Sequence, residues 1–210
     1  MRLPRVQTGR RLGKKPVRAA PANPRFHAKQ WPEDERKMKE LILYISQKCA
    51  DDAKFGATKL NKILYFSDFL AYAYHGSPIT GFEYQKLPNG PAPRRLVPVR
   101  EQLMESGELG IQEVPLRGGY FQKRTVNLRP PNLDVFSAKQ IALVDAVIEA
   151  LANVDASTVS TWSHMMVGWK VADLNETIPY ETVFLTEEPP NEIDILRGLE
   201  VAKEHRLLEP

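Results

Sequence analysis

Hydrophobic positions recur at steps of three and four through much of the chain, most densely over 58–76, TKLNKILYFSDFLAYAYHG. Leu60, Ile63, Leu64, Phe66, Phe69, Leu70 and Ala73 keep helical spacing, while Tyr65, Tyr72 and Tyr74 fill most of what remains. A helix apolar on every side has no solvent face and must be wrapped by other elements. The pattern predicts one central helix, with Thr58 as its N-cap and Gly76 as a left-handed terminator.

An amphipathic helix precedes it. Trp31-Pro32-Glu33-Asp34-Glu35 opens with an early proline and first-turn acids, and Met38, Leu41, Ile42, Ile45 and Cys49 form one stripe ending near Asp51. After Gly76 the alternation at 82–87, FEYQKL, predicts a half-buried strand, and PNGPAP at 88–93 predicts a rigid turn into a helix over 94–106 that Pro98 must kink or restart. Two alternating runs around Arg117-Gly118-Gly119, within 109–128, predict a hairpin. Ser137 with Gln140 is a capping box for a helix through Leu151, and 157–168 predicts a further helix with Val159, Trp162, Met166 and Trp169 on or beside its apolar face. Beyond Pro189-Pro190, Ile193, Leu196, Leu199 and Val201 are spaced to dock a last helix, 192–206, on the body.

These elements make a predominantly helical α+β fold: a central buried helix wrapped by helices, with a short strand pair and a β-hairpin. Three regions are expected: a basic, proline-rich arm over 1–31, disordered by composition; a globular domain over 32–188; and a docked C-terminal helix over 189–210. Charge sharpens the division. Residues 1–30 hold nine lysines and arginines and no acid, against 29 basic and 26 acidic residues in the whole chain, so the arm carries about +9 and the remainder about −6. Such an arm is suited to nucleic acid or an acidic partner.

The single cysteine excludes an internal disulfide and points to a reducing cytoplasm, and no run approaches the roughly 18 apolar residues of a membrane span. The chemistry in the sequence is sparse. There is no glycine-rich phosphate loop, no GxSxG elbow, no HExxH, and no paired Cys or His at ligand spacing. Cys49 reads as a small core residue, His164 as a histidine hydrogen-bonded within a core or a partner surface, and Asp68 and Asp145 as local caps or pairs. No catalytic, cofactor or metal site is expected. A helix followed by a hairpin is also the layout of a winged helix, which would make Arg117, Lys123, Arg124 and Arg129 phosphate contacts.

Several segments in order carry a family resemblance: KLNKILYFSDFLAYAYHG from Lys59, a strand and the Asn89-Gly90-Pro91 turn at the start of a helix, SHMMVGW from Ser163 to Trp169, and IPYETVFL from Ile178. Together they resemble the Panacea antitoxin domain of SocA-like and GepA-like phage-associated proteins, over about residues 36–185. Asn89 departs from the Tyr or Trp usual before the Gly-Pro turn. The resemblance implies a non-enzymatic antitoxin that neutralises the toxin of a neighbouring gene by direct binding, or an adaptor that delivers it to a Clp protease. It assigns Leu60, Leu64, Phe66, Gly90, Pro91, His164 and Trp169 mainly to the fold. Affinity in such a binder comes from a few aromatic and Arg anchors. Tyr84, Arg94, Arg95 and Tyr120, on the strand, turn and hairpin, are the candidates.

Overall fold

The computed structural model describes residues 29–204 apart from Arg117. The expected basic arm lies almost wholly outside these residues, as does the end of the last predicted helix. Helix α1 (Glu35–Lys48) is capped by Asp34, whose carboxylate accepts from Lys37 N at 2.9 Å. Glu33 therefore stands outside the helix rather than in its first turn. Helix α2 (Ala57–His75) starts after Gly56, so Thr58 is not its cap, and ends at a left-handed Gly76 whose N–H returns to Tyr72 O. No residue of α2 from Ala57 to Ala73 is exposed, as a helix without a solvent face requires.

Two cores meet on α2. Leu60, Ile63 and Leu64 pack with Met38, Leu41, Ile42 and Ile45 of α1, with Leu96, Val99 and Leu103 of α3 (Leu96–Glu105), and with Val144, Val147 and Leu151 of α4 (Ala138–Leu151). Tyr65 and Phe69 instead join Tyr84 and Tyr180 in an aromatic core, and Phe66 packs against both. Pro98 sits in the first turn of α3, where its missing N–H has no intrahelical partner to lose, so it neither kinks nor restarts the helix. The Ser137–Gln140 capping box caps α4 as the sequence predicts.

Strand β1 (Tyr84–Gln85) is shorter than the alternation predicts and is the centre of a three-stranded antiparallel sheet, between β2 (Ala92–Pro93) and β5 (Thr177–Ile178). Strands β3 (Leu109–Pro115) and β4 (Phe121–Asn127) form the predicted hairpin, with Gly118 and Gly119 both at positive φ in its loop. The helix predicted over 157–168 is two: α5 (Ala156–His164) and α6 (Val167–Val171), broken where Met166 turns extended. Helix α7 (Glu192–Glu204) forms, but none of its residues is buried. Its apolar stripe is not packed into the body as the spacing predicts. Among the described residues, no helix is long and apolar enough to cross a membrane.

Candidate functional site

Of the four expected anchors, Tyr84 is the one the fold removes from the surface. It is 1 % exposed and lies inside the aromatic core. The alternation already contained the reason: Phe82 and Tyr84 face inward together and Glu83 faces out. The Tyr84 hydroxyl donates to Asp68 Oδ2 at 2.8 Å, and Asp68 also accepts from Ile79 N and Thr80 N at 2.8 Å and from Thr80 Oγ1 at 2.5 Å. Burial raises the Asp68 pKa, while these four donors oppose the rise. Asp68 thus fixes the loop after α2 to the helix, the local pairing expected of it.

Arg94 and Arg95 are exposed but already engaged. Arg94 donates to Gln85 Oε1, to Asn175 O and to Thr177 Oγ1 at 3.0–3.1 Å, clamping the edges of the small sheet. Arg95 pairs with Glu33 at 2.6 Å and Glu35 at 3.0 Å, tying the start of α3 to the start of α1. Tyr120 is different. It is 74 % exposed, beside exposed Leu116 and Phe121, so the hairpin tip presents three large apolar side chains to solvent.

The cations on the hairpin, by contrast, are turned to structural use. Lys123 lies opposite Glu113 at 3.7 Å, and Arg124 donates to Ala50 O at 2.7 Å, past the end of α1. Arg129 makes a fork with both Glu40 oxygens at 2.8 Å and also bonds Glu108. Burial raises the Glu40 pKa, but Arg129 and the Asn132 N–H outweigh it and leave the carboxyl below its ordinary value. The winged-helix layout therefore lacks free phosphate contacts at Arg124 and Arg129, Lys123 stays exposed in a surface pair, and Arg117 lies outside the described residues.

The motif residues gather around α2. Leu60 and Leu64 are fully buried, and Phe66 is half-buried between the cores. Gly90 has φ +97°, and a Cβ there would stand 2.4 Å from Lys62 Nζ and 2.5 Å from Ser163 Oγ. Pro91 O accepts from Lys62 Nζ at 3.1 Å. The break between α5 and α6 folds His164 flat onto Trp169, with ring centres 3.9 Å apart and planes at 13°. Trp169 Nε1 donates to Leu87 O at 3.3 Å, and Lys86 Nζ stands 4.3 Å over the indole while donating to Ala172 O. His164 differs from the expected hydrogen-bonded histidine: its Nε2 is buried without a partner among the described residues.

Lys62, Lys86 and Ser163 were not singled out in the sequence. The signal for Lys62 was present all the same, because a lysine on a helix with no solvent face must lie inside. Cys49 is buried, and burial foremost, with the Asp52 charge adding to it, pushes its thiol up to about 11, which makes it inert as a nucleophile at neutral pH. Among the described residues, no three His, Cys, Asp or Glu side chains are grouped to hold a metal ion.

No curated protein and no solved structure matches the chain. Residues 60–170, just over half of it, match the family described as "Antitoxin SocA-like, Panacea domain". This span takes in most of α2, the Gly90 turn, the hairpin and the stacked His164–Trp169 pair, and by it the chain belongs to the SocA-like Panacea antitoxin family.

Proposed function

We propose that this protein is a non-enzymatic antitoxin that binds and neutralises the toxin encoded beside it, in the cytoplasm, and that the hairpin tip is part of the binding surface. The observation that carries the reading is the exposed group Leu116, Tyr120 and Phe121 at the end of a hairpin whose Arg124, with Arg129 just beyond it, is held by the body. Large apolar and aromatic side chains on a two-stranded arm bury area with little loss of side-chain freedom, which suits interface anchors. Family membership supports the toxin as partner. The engagement of Asp68 and the unreactive thiol of Cys49 support binding rather than chemistry.

Co-expression tests this reading. The neighbouring gene product should arrest growth alone and lose that effect beside this protein, and the two should co-purify. A neighbour that is harmless alone, or that stays toxic in company, sinks the proposal. If toxin abundance falls only in cells that contain a Clp protease, the route is delivery rather than direct neutralisation.

A further inference from the structure

Helix α2 carries two lysines that the core encloses, Lys59 and Lys62, each 1 % exposed. Lys59 has its counter-charge, Asp52, at 2.5 Å. Lys62 donates only to Pro91 O, which occupies one of its three N–H groups, and no described carboxylate forms a salt bridge with it. Its ammonium stands directly behind the Gly90 backbone and next to the buried Ser163 hydroxyl, which is itself spent on Ser160 O at 2.7 Å. Nearby, the buried Nε2 of His164 has no partner. Burial first, then the Lys62 and Lys86 charges, hold the His164 pKa below its ordinary value, so His164 lies close enough to each lysine to feel its charge.

Three basic side chains at one turn without a neighbouring acid are unfavourable on their own. An isolated charge taken out of water costs several kcal/mol unless it is paired and hydrogen-bonded. The unused N–H groups of Lys62 are donors, the unpartnered imidazole nitrogen is one whenever it carries the ring proton, and the stacked Trp169 ring supplies an apolar wall. His164 and Trp169 are half-exposed and Asn89 in the covering turn is exposed, so solvent is one side chain away. We propose that the Gly90 turn covers an oxyanion site, in which Lys62 Nζ and His164 Nε2–H bind one compact carboxylate or phosphate group. The group arrives either as a free small anion or on an acidic side chain of a bound protein. The site itself does not depend on the antitoxin reading.

The test is nitrogen-15 NMR of the full chain labelled at lysine and histidine. In the first arm, acetate or inorganic phosphate is titrated at constant ionic strength against chloride. The expected result is a saturable shift of the Lys62 Nζ and His164 Nε2 signals that chloride does not reproduce. His164→Phe, which keeps an aromatic ring against Trp169, should weaken binding about tenfold, and Lys62→Met should abolish it. In the second arm the co-purified toxin replaces the added anion. The same shifts there assign the oxyanion to the partner protein, whereas shifts in the first arm alone assign it to a small molecule. Absence of a saturable response in both arms overturns the proposal, as does a response shared with chloride or unchanged in both variants. Because the first arm uses this chain alone, its failure is distinct from a failure of toxin neutralisation.

Discussion

Lys59 and Lys62 sit one turn apart on the same helix and are equally enclosed, yet they solve the problem of buried charge in opposite ways. Lys59 is closed: its ammonium meets Asp52, which also accepts from Lys54 N at 2.9 Å. Lys62 is open: one carbonyl oxygen, a glycine backbone pressed against it, and other basic groups nearby. Equal burial therefore does not mean equal role. A paired charge is a fixed part of the fold, whereas an unpaired one is held at a cost that a ligand can relieve.

The largest effect should come from opening the closed pair. Lys59→Met leaves Asp52 as an uncompensated, nearly buried carboxylate and should cost about 3 to 5 kcal/mol in urea unfolding. Adding Asp52→Leu should recover most of that loss. A Lys59→Met protein as stable as the parent would break the contrast, since it would show that neither lysine needs its neighbours.

Lys62 should instead announce itself through pH. Burial pushes its ammonium from 10.5 down to about 8. Between those values the unfolded chain still holds the proton and the folded chain has released it, so stability rises with pH across that window. The gain is on the order of 3 kcal/mol by the upper end. Below about 8 both states are protonated, and the cost of the buried charge is fully present. Lys62→Met should lack the rise and stay within about 1 kcal/mol of the parent, or above it, at pH 7. Unfolding both proteins from pH 7 to 10 isolates the difference, because every other titrating group is common to both.

Gly90→Ala probes the turn that covers the open lysine. A Cβ at φ +97° and 2.4 Å from Nζ should cost about 1 to 3 kcal/mol. The backbone strain and the 2.5 Å clash with Ser163 Oγ remain in any background, but the closest contact is with the end of the Lys62 side chain. Combining Gly90→Ala with Lys62→Met should therefore cost less than the sum of the two changes, a coupling that a double-mutant cycle measures.

The legibility of this fold follows the same line between what is enclosed and what is left over. Helical period, capping pairs and the glycine-bearing hairpin turn are local, so α2, the Ser137–Gln140 box and the β3–β4 hairpin were readable, as was the resemblance carried by spaced motifs. Three features were not, and a fourth, the inward place of Tyr84, was legible only against its residue type. The break at Met166 brings His164 onto Trp169, a contact that no helical period encodes. Tyr84 has the residue type of an interface anchor, but its alternation with Glu83 turns it inward. Arg94 and Arg95 looked free because their partners, Thr177 and Glu33, are about eighty and sixty residues away in sequence. The stripe on α7 had the right period for docking, but period alone cannot say whether a surface is waiting for it.

The smallest expected effect on stability is the one closest to function. Among the described residues Tyr120 makes no side-chain hydrogen bond; it is mostly exposed, and its own carbonyl, not its ring, accepts the bond from Leu116 N at 2.7 Å that closes the hairpin loop. Tyr120→Ala should thus shift unfolding by less than about 0.5 kcal/mol. If the tip anchors the toxin, the same change should weaken the complex by about 2 kcal/mol or more, near thirtyfold in Kd, with Phe121→Ala behaving alike. Titration calorimetry of the purified pair reads this directly. Unchanged affinity in both variants would move the interface off the hairpin, whereas lost affinity at full stability would separate the surface that binds from the core residues that identify the family.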